Sequence, residues 1–252
     1  MIFMYLSDRI GTIKKALGIL KLGKMSFSLG KCPLCKNMLF VKLRDNDPLA
    51  IRCVKCRASI AYMAMGHMLQ EKVPDFEKAK IYELSSRGAF FEFIKKRCRN
   101  LTFSEFYDDI APGEFKGNVL CQDVQCLTFD DDYFDTCTST EVFEHIPDDK
   151  KGFSEIYRVL RKNSAFIFTV PLNLSAKTVE RAELKNDKII NLLPPKYHDD
   201  RIRGKGTVLC FRDYGYDITE RLKNAGFERV EIVKYKPAFC WQLITTVIIA
   251  YK

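Results

Sequence analysis

The chain has 252 residues, of which 47% are hydrophobic, so it is long enough for one α/β domain with a packed core and a small extra module. Its formal charge of +9 arises in the first 60 residues, which hold 12 basic and 3 acidic side chains, whereas the remainder holds 29 of each. This distribution excludes a uniformly basic protein and predicts an anionic partner for the N-terminal part only. The alternative is a solvated basic surface without such a partner.

The pattern of apolar residues shows neither a secretory signal nor a membrane-spanning segment. The apolar run at 243–250 is far shorter than the ~20 residues that a spanning helix needs. Ten cysteines without a secretory signal predict a reducing compartment, in which thiols or metal ligands are expected rather than disulfides. We therefore expect a cytoplasmic protein with no transmembrane segment.

Residues 1–30 form a predicted basic N-terminal segment. Ile10, Ile13, Leu17 and Leu20 would lie on one face of a helix, with lysines around them. Such a helix could pack on its own protein or lie on an anionic membrane surface, and the sequence leaves both readings open.

Two Cys-x-x-Cys pairs, separated by 17 residues, define the predicted second module at residues 31–60. This spacing places four thiolates around one tetrahedral ion, which predicts a structural Zn²⁺ ribbon rather than a catalytic metal. A segment of this size cannot bury enough core to fold alone, so the metal would supply the missing stability, on the order of 10 kcal/mol. The predicted ligands are Cys32, Cys35, Cys53 and Cys56. Short ribbon strands are predicted at 38–43 and 49–52, and a role as small buried hydrophobes is predicted for Cys98, Cys121, Cys126, Cys137, Cys210 and Cys240.

Residues 61–252 alternate between strand and helix patterns, which predicts a parallel sheet with crossover connections. The predicted strands are 80–84, 101–105, 118–122, 134–138, 165–170, 229–235 and 243–251. The predicted helices are 89–98, 150–162 and 217–224. No helix separates the last two strands, so they should form an antiparallel hairpin. Residues 172–210 read as an irregular insertion with a short helix near 177–186, and a long loop of this kind often covers a site.

The most informative stretch is 129–171, in which a strand starting at Phe134 precedes the acidic and aromatic turn EVFEHIP at 141–147. An amphipathic helix and another strand follow. This order resembles the second half of a class I S-adenosylmethionine (SAM) dependent methyltransferase, most closely the type-11 group. The resemblance implies a Rossmann-like, seven-stranded, mostly parallel α/β sheet with a terminal antiparallel hairpin, and it implies SAM as the cofactor.

The resemblance also predicts cofactor contacts at the carboxyl ends of the first strands. Glu83 matches the acid that the family places at the first strand. Ser85, Arg87 and Ala89 stand where the family has alternating glycines, and Gly88 lies one step out of register. The loop is the main departure from the family pattern, because glycines there let the backbone approach a ligand closely.

Acidic residues follow the next two strands as well. Glu105 matches the family's acid that accepts hydrogen bonds from both ribose hydroxyls, although Asp108 and Asp109 are competing candidates. Asp123 matches the acid that holds the adenine amino group, with Val124 beside it.

The resemblance places Thr138 and Thr140 at the methionine end of SAM, and it places Glu141 in the wall of the site as a further candidate catalytic residue. A hydroxyl acceptor needs a general base, for which His145 is the first candidate and His198 the second. The histidines also have structural readings, since His145 could bond to backbone at a helix start and His198 could lie in a polar surface loop.

Three functions remain open from the sequence. The first is methyl transfer from SAM to a small-molecule, lipid or glycan acceptor. The second is methylation of rRNA or tRNA, with the basic zinc ribbon binding phosphates, although Phe40 is the only aromatic residue between the ribbon cysteines. The third is a non-catalytic, methyltransferase-like binding protein, which the altered glycine loop would explain.

Overall fold

The computed structural model describes residues 25–43, 50–200, 206–238, 241 and 243–252, with only the backbone described for 199 and 200. The predicted amphipathic stretch at 10–20 and Cys240 lie outside these residues.

The described residues contain the following elements. The strands are β1 (Ser26–Leu29), β2 (Leu39–Lys42), β3 (Ile51–Cys53), β4 (Lys80–Glu83), β5 (Asn100–Glu105), β6 (Phe115–Lys116), β7 (Val119–Cys121), β8 (Phe134–Thr140), β9 (Leu160–Thr169), β10 (Leu172–Asn173), β11 (Val179–Glu180), β12 (Ala182–Lys185), β13 (Lys188–Asn191), β14 (Tyr197–Asp200), β15 (Gly206–Leu209), β16 (Arg212–Gly215), β17 (Arg229–Tyr235) and β18 (Thr245–Tyr251). The helices are α1 (Ile60–Lys72), α2 (Gly88–Lys95), α3 (Asp149–Val159), α4 (Ile218–Asn224) and a 3₁₀ turn (Phe143–His145).

The central sheet has the strand order β17-β18-β9-β8-β4-β5-β7-β6. The five strands from β9 to β7 in this order run parallel to one another, and β17 and β18 form the predicted antiparallel hairpin. The prediction of seven strands is wrong by one, because β6 pairs antiparallel with β7 at the edge. A two-residue turn joins these strands, and Gly117 within it adopts a φ of 62° that glycine takes without strain.

Side chains alternate across the sheet and give it two packed faces. On β9, Phe166 and Phe168 pack in the core between the sheet and helices α3 and α4. Ile167 packs in the core on the opposite face, with α1 and α2. On β18, Ile248 and Ile249 divide in the same way. The period of two therefore makes this a three-layer α/β fold.

Helix α1 is the main element that the sequence did not predict. Buried apolar side chains surround most of this helix, so it lacks the single apolar stripe that identifies an amphipathic helix. Its start does carry a cap, because the Ser59 hydroxyl accepts a hydrogen bond from the Tyr62 amide at 3.3 Å. The helix packs on β9 and β18.

Strands β1, β2 and β3 form the antiparallel ribbon that the cysteine spacing predicted. The ribbon packs directly on α1, where a Cβ atom at Gly66 would lie 2.0 Å from a methyl group of Leu34. The bare backbone of Gly66 therefore allows Leu34 to approach closely. Ribbon and sheet share one hydrophobic cluster.

The helix predicted near 177–186 is wrong, because this segment forms strands β11 and β12. Strand β12 pairs with β13 in a hairpin whose two turn residues, Asn186 and Asp187, have φ values of 50° and 59°. Both values suit a type I′ turn, the tight connection that Asn and Asp favour in hairpins. The preference of Asn186 and Asp187 for this tight turn therefore explains why the segment forms a hairpin and not a helix.

The buried guanidinium group of Arg212, which lies just after the insertion on β16, binds the turn that follows β8. Arg212, which is 3% exposed, donates hydrogen bonds to the carbonyl oxygens of Phe143 at 3.2 Å, Ile146 at 2.6 Å and Pro147 at 2.7 Å. Its Nε also donates to Glu180 at 3.0 Å. Arg212 thus satisfies a run of carbonyl groups around the 3₁₀ turn that follows β8.

Neighbouring charges balance this guanidinium. The Asp149 carboxylate lies 3.6 Å from Arg212 and 3.0 Å from Arg221, and it accepts a hydrogen bond from the Tyr214 hydroxyl at 2.9 Å. Arg221 also donates to Glu180 at 2.7 Å. The two arginines and two acids form a partly buried network in which each charge has a partner.

Replacing Arg212 with leucine should lower the free energy of unfolding by about 3–5 kcal/mol, because it breaks the buried ion network and removes the donor to the carbonyl groups of Phe143, Ile146 and Pro147. Urea unfolding followed by circular dichroism measures the change. Arg161→Gln is the matched control, because Arg161 is 42% exposed in its ion pair with Asp135 and should cost at most about 1 kcal/mol. Equal losses for the two variants would contradict the structural role of Arg212.

Candidate functional site

A pocket of 1560 Å³ opens at the carboxyl ends of the parallel strands. It lies where the strand order reverses between β4 and β8, the position at which open α/β sheets bind ligands. Its walls come from the ribbon, α1, the loops after β4, β5, β7 and β8, and the inserted strands; representative lining residues are Arg52, Tyr62, Ser85, Glu141 and Leu209.

The loop after β4 has other residues at the positions where the resemblance predicts glycines. The predicted residues Ser85, Arg87 and Gly88 all line the pocket. The Ser85 hydroxyl accepts a hydrogen bond from the Arg87 amide at 3.3 Å, which tightens the turn. Gly88 begins α2 with a φ of 94°, and a Cβ atom there would lie 2.5 Å from the Tyr62 hydroxyl. One glycine is therefore needed at this loop, where α1 crosses it.

Glu105 ends β5 in the pocket wall. Its Oε1 accepts hydrogen bonds from the amide and hydroxyl of Ser86, at 2.7 and 2.8 Å, and burial raises its pKa despite these bonds. The competing candidate Asp108 also lines the pocket, whereas Asp109 forms an ion pair with Lys116 at 2.9 Å and does not.

Asp123 and Val124 follow β7 and line the same pocket. The Asp123 carboxylate accepts hydrogen bonds from the amide and the side chain of Gln125, at 2.9 and 3.0 Å, which fix its orientation. Val124 is 6% exposed and provides an apolar surface beside the carboxylate. The structure thus brings the acids after β5 and β7 to one pocket, as the sequence predicted.

Glu83 and Thr138 take a different place from the predicted one. Both are fully buried and neither lines the pocket; the Thr138 hydroxyl donates a hydrogen bond to Glu83. Burial raises the pKa of Glu83 to about 8. The pair joins β4 to β8 behind the site. Thr140 does line the pocket, and its buried hydroxyl oxygen has no hydrogen-bond partner among the described residues.

The turn after β8 contributes two pocket residues. Glu141 adopts a φ of 55° and lines the pocket. The confinement of its carboxyl group in the pocket and the nearby Glu144 carboxylate raise its pKa to about 7. His145 also lines the pocket, and its Nδ1 lies 2.8 Å from the carbonyl oxygen of Leu209. The backbone bond expected in the structural reading of His145 is therefore present.

His198 lies on β14, not in an irregular surface loop. Its ring lies edge-on to that of His145, with centroids 4.9 Å apart, but it does not line the pocket. The insertion therefore brings the two predicted candidate bases together, with His145 alone facing the pocket.

The four ribbon cysteines converge on one point. Their sulfur atoms all lie within 4.8 Å of one another, and two pairs are separated by 3.7 and 3.5 Å. Each Cys-x-x-Cys turn closes with the same backbone bond, Lys36 to Cys32 at 2.9 Å and Arg57 to Cys53 at 2.8 Å. Lys36 and Arg57 have φ values of 62° and 61°. This repeated geometry could hold a metal ion.

Among the remaining described cysteines, Cys98, Cys121 and Cys137 are buried as predicted. The prediction is wrong for Cys126, which is exposed because it lies in the turn after β7. Cys210 is buried but has polar neighbours: one ligand atom from each of Cys210, His145 and His198 lies within 4.8 Å of the others. No local sequence pattern indicates this cluster, since 52 residues lie between His145 and His198.

Comparison with known proteins identifies the central part of the chain. Residues 80–168 match the sequence profile of a family described as "Methyltransferase domain". This part of the chain is therefore similar to methyltransferase domains. The match includes the acids at β4, β5 and β7 and the turn after β8, but neither the ribbon nor the inserted strands.

Two curated relatives match over parts of this chain. A ubiquinone biosynthesis O-methyltransferase of Coxiella burnetii is 29% identical over 32% of the chain and 35% of its own length. A 24-methylenesterol C-methyltransferase 2 of Arabidopsis thaliana is 29% identical over 45% of the chain and 28% of its own length. The chain thus spans about a third of the length of these relatives.

A solved structure also resembles the chain. It is the Burkholderia thailandensis 1,6-didemethyltoxoflavin-N1-methyltransferase with bound 1,6-didemethyltoxoflavin and S-adenosylhomocysteine, which is 16% identical. The alignment covers 77% of this chain and 78% of that one, with a TM-score of 0.47. Among the helices that the structure describes, none has the length and apolar character needed to cross a membrane.

The buried Glu83 should make stability depend on pH. Its pKa is about 8 in the folded state and 4.5 as the ordinary value, so folding takes up a proton between these pH values. Stability should therefore fall as pH rises through this window.

Replacing Glu83 with glutamine should reduce that fall, because the amide does not ionise. Thermal unfolding at pH 5, 6, 7 and 8 measures the difference between the variant and the wild type. Glu71→Gln, at a 50% exposed site on α1, should leave the slope unchanged. If the melting temperature of Glu83→Gln falls with pH as steeply as that of the wild type, Glu83 is ionised in the folded protein and the prediction is wrong.

Proposed function

We propose that the protein is a SAM-dependent methyltransferase that acts on a small-molecule acceptor. The observation that supports it most directly is the pair of acids at the carboxyl ends of β5 and β7, which line one pocket beside the strand-order reversal. Both acids lie within the segment that matches the methyltransferase domain.

The residues present fit the cofactor at several points. Glu105 would accept hydrogen bonds from the ribose hydroxyls, and Asp123 with Val124 would hold the adenine. The unpartnered hydroxyl of Thr140 and the bare backbone of Gly88 leave a polar atom and space for a ligand. SAM would supply an electrophilic methyl group on a sulfonium, while the pocket aligns the acceptor and excludes water.

The inserted hairpin supports an acceptor with an apolar part. Leu184 on β12 and Ile189 on β13 both line the pocket, and they are 48% and 54% exposed. Exposed apolar side chains that face a pocket are available to bury an apolar ligand surface. The names of the two curated relatives, a ubiquinone biosynthesis and a sterol methyltransferase, favour small molecules over RNA.

Glu141 is our proposed general base. Its carboxylate lies in the pocket wall directly after β8, where the resemblance places the substrate side of the site. His145 is less suited to the role, because its Nδ1 is held by Leu209 and its Nε2 lies 3.7 Å from Glu144. In this proposal Glu141 accepts the proton that a hydroxyl acceptor loses during methyl transfer.

We also propose that the ribbon binds one structural Zn²⁺ through Cys32, Cys35, Cys53 and Cys56. A tetrahedral ion with Zn–S distances of ~2.3 Å separates its sulfur ligands by about 3.8 Å. The distances of 3.7 and 3.5 Å agree with that value. Since the ribbon contributes Cys35, Cys56 and Arg52 to the pocket lining, the ion would stabilise one wall of the site.

Isothermal titration calorimetry with SAM and S-adenosylhomocysteine tests the proposed function. The wild type should bind both. Glu105→Gln should weaken binding by about 10-fold or more, since hydrogen bonds to a charged group contribute ~1.5–3 kcal/mol. Glu71→Gln is the control, because Glu71 lies outside the pocket. Absence of binding to the wild type would contradict the proposal.

A transfer assay distinguishes the acceptor class. Radiolabelled methyl groups from SAM should enter organic-extractable products when phenols and sterols are supplied. Methylation of an rRNA fragment, with affinity that falls steeply as salt rises, would instead identify an RNA acceptor.

Glu141→Gln should lower the rate of methyl transfer to a hydroxyl acceptor by about 10²–10⁴-fold, the usual contribution of a general base. Its affinity for S-adenosylhomocysteine should stay within a few-fold of the wild type. Glu71→Gln serves again as the control. An unchanged rate in the Glu141 variant would exclude it as the base.

A further inference from the structure

We propose that His145, His198 and Cys210 form a second metal site, distinct from the ribbon and suited to Zn²⁺ or a similar divalent transition metal. One ligand atom from each residue lies within 4.8 Å of the others. Two imidazoles and one thiolate are a ligand set that zinc binds in proteins. The proposal does not depend on the identity of the methyl acceptor.

Glu144 supplies an independent observation in favour of an ion. It is 1% exposed, and neither carboxylate oxygen has a hydrogen-bond partner among the described residues. Its Oε1 points into the cluster, 3.5 Å from Nδ1 of His198 and 3.7 Å from Nε2 of His145. A buried carboxylate that accepts no hydrogen bond is costly, and a cation beside it would reduce that cost.

The charges of this arrangement balance. A divalent ion bound by the Cys210 thiolate and two neutral imidazoles carries one net positive charge, and the Glu144 carboxylate beside the two histidines compensates it. Cys210 is 1% exposed, so bulk water would compete poorly for the position.

The orientation of His145 agrees with metal binding. Its Nδ1 lies 2.8 Å from the Leu209 carbonyl oxygen, so a proton on Nδ1 donates there. The lone pair is then on Nε2, which lies on the Glu144 side of the ring. Metal-binding histidines commonly donate their other ring N–H to a carbonyl or carboxylate in this way.

The ligands come from three separate parts of the chain. His145 ends the 3₁₀ turn, His198 lies on β14, and Cys210 follows β15, the strand that pairs with β14. The amide of Phe211 also donates to the carbonyl of Glu144 at 2.7 Å. An ion here would join the β14–β15 hairpin to the turn that carries Glu141, and so would fix one wall of the pocket.

Metal analysis of the full-length protein tests the site. After dialysis against zinc and then metal-free buffer, mass spectrometry of the metal content should find two zinc ions per chain. Cys210→Ser and His198→Gln should each lose one, whereas Cys53→Ser should lose the other. Cys126→Ser is the matched cysteine control and should retain both, since Cys126 is exposed and outside both clusters.

Cobalt substitution gives a second readout. Co²⁺ bound at both sites should show thiolate charge-transfer absorption, of which Cys210→Ser loses only part and Cys53→Ser loses the larger share. His198 is 31% exposed, so His198→Gln should fold even if Cys210→Ser does not, and circular dichroism checks both.

The proposal is overturned if well-folded His198→Gln retains the wild-type zinc content and cobalt spectrum. It is also overturned if the wild type holds a single zinc ion that Cys53→Ser removes. In those cases the cluster of His145, His198 and Cys210 binds no metal. A single ion that disappears with Cys210→Ser but persists in Cys53→Ser would support this site and refute zinc in the ribbon. SAM binding, measured separately, bears on neither result.

Discussion

The candidate site depends on one constraint, which is that the chain after β8 leaves the sheet as an irregular turn inside the protein. Arg212 donates hydrogen bonds to three carbonyl groups of this turn and the residues after it, those of Phe143, Ile146 and Pro147. Asp149 and Glu180 compensate its charge. Because the same turn carries Glu141 and His145, the ion network determines where the pocket's functional groups lie.

The opposite wall depends on packing rather than on charge. Gly66 on α1 admits Leu34 of the ribbon, and the first turn of α1 places Tyr62 over the loop that contains Gly88. The ribbon therefore contributes to the pocket through its contact with α1 as well as through its own lining residues. A domain boundary drawn from sequence between ribbon and sheet separates parts that share a core.

The sequence predicted most of the sheet, because strands such as β9 and β18 contain apolar runs, AFIF in β9 and VIIAY in β18. It also predicted that Glu105 and Asp123 lie close together, since acids at the ends of parallel strands meet at one edge of the sheet. It did not predict α1, whose buried residues surround the helix, or the cluster at Cys210. That cluster depends on the register between β14 and β15 and on how the insertion folds back, which no local pattern records.

The β12–β13 hairpin has a consequence for how such a protein can change. Its exposed residues face the pocket on one side and water on the other, and the Arg212 network holds the insertion at strands outside the hairpin. The hairpin tip can thus vary in length and composition without disturbing the sheet or the acids after β5 and β7. Under the proposed function, exchange of this short segment would change which acceptor the pocket takes, and the segment offers a graft point for redesigning selectivity.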